Sequence, residues 1–121
     1  MFSRLISYEK KEKPKIIVFS SGTKDGGGSG FENLVLKSRE GDSKINYEVV
    51  VVVSNHKNGG VRERADRLGV SFIYFEKPFS AEKYAEIIAN SGAKWAALSG
   101  WLKLTKGLNP KTTFNIHPGE Y

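Results

Sequence analysis

Residues 15–37 read KIIVFSSGTKDGGGSGFENLVLK, and this stretch decides the fold. Ile16, Ile17, Val18 and Phe19 form a short unbroken apolar run, the pattern of a strand buried on both faces. Five glycines in the nine residues from Gly22 to Gly30 exclude regular structure there. Phe31, Leu34 and Val35 then recur at helical spacing, to about Lys37.

The same alternation continues downstream. Tyr47 to Val53 holds five consecutive valines, the strongest strand signal in the chain. After a polar turn from Ser54 to Gly60, a short charged helix is expected from Val61 to Leu68, with Val61, Ala65 and Leu68 inward and Gly69 as its stop. Val70 to Phe75 reads as a third strand. Ser80 reads as the N-cap of a helix running to about Asn90, with Tyr84, Ile87 and Ile88 on one face and Gly92 ending it. Trp95 to Leu98 is a fourth strand and Thr113 to Ile116 a fifth, with one or two helical turns expected between Leu102 and Leu108. Strand and helix in this rhythm predict an α/β fold of three layers around a mostly parallel sheet, with right-handed crossovers.

The chain of 121 residues has room for one such core. Residues 1–14 read as an N-terminal extension, with Phe2, Leu5 and Ile6 on one side of a helical turn and a charge run closed by Pro14. There is no cysteine, which excludes disulfide scaffolds, cysteine nucleophiles and thiolate metal sites. His56 and His117 are the only histidines, too few for a multi-imidazole metal site; no metal is expected. No apolar run approaches the ~20 residues of a membrane helix, and no secretory apolar segment opens the chain. These features together point to the cytoplasm. A net charge of +6 suits an anionic ligand, though a solvated basic surface explains it equally. Aromatic residues do not interleave with the basic ones as nucleic-acid stacking requires, so no nucleic acid is expected.

Ligands of open parallel sheets bind beyond the carboxyl ends of the strands. Three segments meet that condition. The first is the glycine loop, where Gly27, Gly28, Ser29 and Gly30 would bring backbone amides and a helix N-terminus to a phosphate. Neither common phosphate fingerprint fits: Gly28 stands where the Walker lysine would be, and the dinucleotide pattern meets Phe31 or Asn33 in place of its last glycine. A solvent loop is the alternative. The second is Asn115-Ile116-His117-Pro118, in which Asn115 and His117 share one side of an extended segment. One is a neutral hydrogen-bond donor and the other a titratable acid or base; a structural histidine is the alternative. The third is Ser99 to Thr105, which offers backbone and apolar surface to a flat heterocycle. His56 reads as a turn residue.

These residues resemble the folate-dependent phosphoribosylglycinamide formyltransferases. The likeness runs from Lys15 to about Pro118. Gly28-Ser29-Gly30 with Asn33-Leu34, the strand end Ser54-Asn55, Ser99-Gly100-Trp101-Leu102-Lys103-Leu104 and Asn115-Ile116-His117-Pro118 carry it. It implies a Rossmann-like formyltransferase fold, C-terminally truncated, with residues 15–121 as the N-terminal portion of the domain. The implied reaction transfers formyl from 10-formyltetrahydrofolate to the amino group of glycinamide ribonucleotide. Gly28, Ser29, Gly30 and Asn33 would hold the substrate phosphate. Leu102, Lys103, Leu104, Thr105 and Asn115 would hold the folate, and Asn115 and His117 would be catalytic. The partners implied are these small molecules, with a monomer or homodimer as the working unit. The chain departs from the family pattern in its N-terminal extension. It also stops at Tyr121, before the family's catalytic aspartate, for which Asp25, Asp42, Asp66 and Glu120 are not equivalents. A formyltransferase for another amine, such as an amino sugar, and a non-catalytic phosphate-binding module of the same fold are the competing functions.

Overall fold

A computed structural model describes residues 13–40, 46–103 and 105–116. Five strands, β1 (Lys15–Phe19), β2 (Glu48–Ser54), β3 (Ser71–Tyr74), β4 (Trp95–Ser99) and β5 (Thr113–Ile116), form one sheet in the order β3-β2-β1-β4-β5. Every pairing is parallel. Three helices join them: α1 (Ser29–Ser38), α2 (Gly60–Leu68) and α3 (Ala81–Ser91).

The two faces of the sheet explain the apolar runs. Ile16, Val18 and Val52 pack with Phe31 and Val35 of α1 and with Val61 and Ala65 of α2. Ile17, Phe19, Val51 and Val53 face the other way, against Tyr84, Ile87 and Ile88 of α3. A central strand with helices over both faces has no wet side, so alternation gives way to continuous valine and isoleucine. Each such side chain, fully buried, contributes roughly 1.5–3 kcal/mol. The valine run is not perfectly regular: Ile16 pairs with Val49 and Ile17 with Val51, so the register shifts by one residue at Val50. That shift sends Val49 and Val52 to the same cluster, which strict alternation would separate.

Two sequence expectations are corrected. Helix α1 begins at Ser29, not Phe31, so the last two residues of the glycine-rich segment already form its first turn. No helix is found among the described residues between Leu102 and Leu108. Gly107 adopts φ 73°, the left-handed region, and a Cβ there would lie 2.9 Å from the Cβ of Ala81. Gly107 therefore packs against the start of α3 in a conformation that a helix does not use, and backbone geometry there overrides the leucine spacing. Among the described residues no helix is long and apolar enough to cross a membrane.

Candidate functional site

The strand order reverses beside β1. The chain moves from β1 outward through β2 to β3, then α3 returns it to the opposite side of β1 as β4. The loops after β1 and β4 diverge at their carboxyl ends and leave a crevice, the place where open α/β sheets bind ligands. Hydrogen bonds tie its walls together. The Ser21 amide donates to the Gly100 carbonyl at 3.2 Å, and the Leu102 amide donates to Ser21 Oγ at 2.9 Å. Ser54 Oγ donates to the Ser21 carbonyl at 2.9 Å and accepts from the His56 amide at 3.0 Å. Ser21 and Ser54 are buried, so these contacts satisfy polar groups that water does not reach. Sequence reasoning passed over Ser21, and took Ser54 only as part of a strand end. The signal available was serine at the end of each of two buried apolar runs, Ser20-Ser21 after Phe19 and Ser54 after Val53.

The glycine loop is a folded object. The Thr23 amide donates to the Gly26 carbonyl at 2.7 Å, and the Gly60 amide to the Thr23 carbonyl at 3.2 Å. Gly59 and Gly60, read from sequence as part of a polar turn, lay the start of α2 directly on this loop. A Cβ on either would strike the backbone of Thr23 or Gly26. Gly27 and Gly28 adopt φ 82° and 90°, a conformation that glycine alone enters freely. Gly28 caps α1 with no side-chain hydrogen bond. The first-turn amides, which a helix leaves without carbonyl partners, belong to Ser29, Gly30 and Phe31. Gly28, Ser29 and Gly30 form one wall of a crevice of about 180 Å³, Gly22 and Thr23 its base, and Ser99 and Gly100 the facing wall. Asn33 is exposed, one turn further along α1, and borders a different cavity with Leu34, Lys37 and Ile116.

Beyond β4 the loop is anchored by aromatic packing. Trp101 Nε1 donates to the Tyr84 hydroxyl at 2.9 Å, and its ring lies 5.4 Å from Phe19 and 6.1 Å from Phe75. Burial pushes the Tyr84 hydroxyl pKa up, which keeps the group neutral. Leu102 is 77% exposed and Thr105 half-buried. Lys103 Nζ sits 5.5 Å from the centre of the Phe79 ring, and the side chain borders a cavity of about 250 Å³ with Asn55 and Phe75. Asn55 Oδ1 is buried there without a hydrogen-bond partner among the described residues. Leu104 and His117 lie outside the described residues. Asn115 is exposed on β5 in register with Leu98, and Ile116 is in register with Ser99. The topology thus brings the ends of β1, β4 and β5 to one edge, as expected from sequence.

A charge cluster adjoins the glycine loop, where Arg64 Nε donates to the Gly27 carbonyl. Glu32, in the first turn of α1, pairs with Arg64 and with Arg67, the latter at 2.8 Å. The two guanidiniums hold its carboxyl far below the usual range, at about 2, Arg67 contributing most.

No family model matches the chain. A chloroplastic phosphoribosylglycinamide formyltransferase of Arabidopsis thaliana is 33% identical over 125 residues, covering 93% of this chain and 40% of that protein. Among solved structures, glycinamide ribonucleotide transformylase 1 from Symbiobacterium toebii superposes with a TM-score of 0.74 at 26% identity, over 90% of this chain and 53% of that one. Phosphoribosylglycinamide formyltransferase from Streptococcus pneumoniae does so with a TM-score of 0.63 at 30% identity, over 87% and 57%. A formyltetrahydrofolate deformylase from Pseudomonas putida shares the fold, with a TM-score of 0.66 at 23% identity. The chain therefore spans about half the length of the proteins it matches.

Proposed function

The chain belongs to the phosphoribosylglycinamide formyltransferase family, and on that premise we propose that it carries the acceptor-binding part of an enzyme that transfers formyl from 10-formyltetrahydrofolate to glycinamide ribonucleotide. The observation that carries this reading is the crevice between the glycine loop and the end of β4. An uncapped helix start with glycines at its entry lets a phosphate approach the Gly28, Ser29 and Gly30 amides, and the helix dipole favours its charge.

The folate pterin packs on the Leu102 to Thr105 segment, which Ser21 and the Tyr84–Trp101 hydrogen bond brace. The acceptor amine attacks the formyl carbon and its carbonyl becomes a tetrahedral oxyanion. Asn115 donates a hydrogen bond to that oxygen. His117 relays the proton lost by the amine to the folate nitrogen, and the C–N bond to folate breaks as the oxyanion collapses and the carbonyl re-forms. Residues 15–121 are the N-terminal portion of the formyltransferase domain and residues 1–14 an extension to it. The cytoplasm is the location we propose, while the Arabidopsis relative is described as chloroplastic.

Thermal unfolding of this chain with glycinamide ribonucleotide, against ribose 5-phosphate and inorganic phosphate, tests the acceptor. Ligand at about 100 times its dissociation constant stabilises the folded state by roughly 2.7 kcal/mol. The ribonucleotide is expected to raise the midpoint more than either control at equal concentration. A shift no larger than that from inorganic phosphate would make the chain a general phosphate-binding module. No shift from any of the three would remove the phosphate site altogether.

A further inference from the structure

Arg64 stands on α2, 37 positions along the chain from Gly27, yet its Nε donates to the Gly27 carbonyl at 2.8 Å. The same guanidinium pairs through Nη1 with Glu32 Oε1 in the first turn of α1. One planar fork therefore joins the last residue but one of the glycine loop to the helix the loop enters. Gly27, which is one of these attachments, and Gly28, which follows it, are consecutive glycines in the left-handed region. Such a pair is the softest element a backbone offers, and its amides have no fixed direction unless something else supplies it. The stem of Arg64 supports it further: a Cβ at Gly28 would lie 3.2 Å from Arg64 Cδ and 3.0 Å from Val61 Cγ2.

Arg64 does not line the crevice, whose walls are the loop and the end of β4. Its contact is with the loop itself, at the Gly27 carbonyl. Arg67 provides a contrast within the same cluster: it reaches Glu32 at 2.8 Å and 3.2 Å but makes no hydrogen bond to the loop. Together the two arginines outweigh the carboxylate by one positive charge, at the helix end where a phosphate would otherwise meet Glu32.

We infer that Arg64 is a positioning residue for the acceptor phosphate, holding the Gly27 carbonyl and Glu32 so that the Gly28, Ser29 and Gly30 amides converge. The inference rests on the phosphate reading of the crevice, and the experiment separates the two. The ¹⁵N-labelled chain is titrated with ribose 5-phosphate, following the Gly28, Ser29 and Gly30 amides, with β1 and β2 amides as a check on folding. Arg64→Ala is expected to weaken binding about tenfold or more, the scale of losing hydrogen bonds to a charged group. Arg64→Lys keeps the charge but not the fork, and is expected to bind as weakly. Arg67→Ala removes an equal charge and is expected to stay within about threefold of the unsubstituted chain.

Equal affinity in Arg64→Ala overturns this inference alone, as does an equal loss in Arg67→Ala, which would make the effect one of net charge. Should Arg64→Ala fail to fold, Arg64→Lys decides: full affinity there overturns the proposal. If the unsubstituted chain shows no shift at the three amides, the phosphate reading and this inference fall together.

Discussion

Glu32 occupies a position where simple dipole reasoning and ligand reasoning conflict. An acidic residue in the first turn favours the helix, yet an anionic ligand at the same end would be repelled by it. The two arginines of α2 resolve the conflict by pairing the carboxylate and depressing its pKa to about 2. The consequence for stability has a definite sign. A carboxyl whose pKa is lower folded than unfolded stabilises the protein fully above its unfolded value near 4.5, and that contribution disappears as pH falls toward 2. Glu32→Gln is expected to flatten the dependence of the thermal midpoint on pH between about 4.5 and 2 relative to the parent chain. Parallel curves for the two proteins would show that the pair does not contribute. Nothing local marked Arg64 or Glu32 as special, since each reads as an ordinary charge on an amphipathic helix.

At the scale of elements, the three helix starts show two solutions to the same problem of unpartnered amides. In α3 Ser80 Oγ accepts from the Lys83 amide at 3.3 Å, and Gly92 closes the helix in the left-handed conformation. Both were legible, because caps are local chemistry over four residues. Replacing Ser80 with Ala is expected to cost ~1 kcal/mol, which lowers the melting temperature of a domain this size by about 4 °C. A change under about 1 °C in calorimetry would mean that water replaces the hydroxyl. Helices α1 and α2 instead begin at glycines without side-chain caps, and both starts converge on the glycine loop. The segment after β4 shows the limit of pattern reading. Leucines at near-helical spacing suggested a turn of helix, but Gly107 meets Ala81 closely in the left-handed conformation, which a helix does not use.

For the whole molecule, stability should grade across the sheet from its centre to its edges. β1 pairs on both sides, with β2 and β4, and its residues from Ile17 to Phe19 have no exposed surface. Among the described residues β5 pairs with β4 alone, and Phe114 on it is 40% exposed. Local opening costs least where few neighbours are lost. Native-state hydrogen exchange is therefore expected to be slowest in β1 and β2 and fastest, among the strands, in β5. Equal protection of β5 and β1 would mean that β5 is covered by something outside the described sheet, such as a second copy of the chain.

The sequence by itself determined the layered parallel sheet, all five strands, the helix faces and the segments that gather at one edge. These follow from periodicity and capping, which act over a few residues and leave their record in the local pattern. Only the tertiary structure decided how those segments join. Ser21 meets Ser54, Gly100 and Leu102 because the strand order sets β1 between β2 and β4. Arg64 reaches Gly27 because α2 folds back across α1 on one face of the sheet. Contacts of that kind depend on the relative placement of elements distant in the chain, and a hydrogen bond across such a distance leaves no periodic trace in the residues that make it.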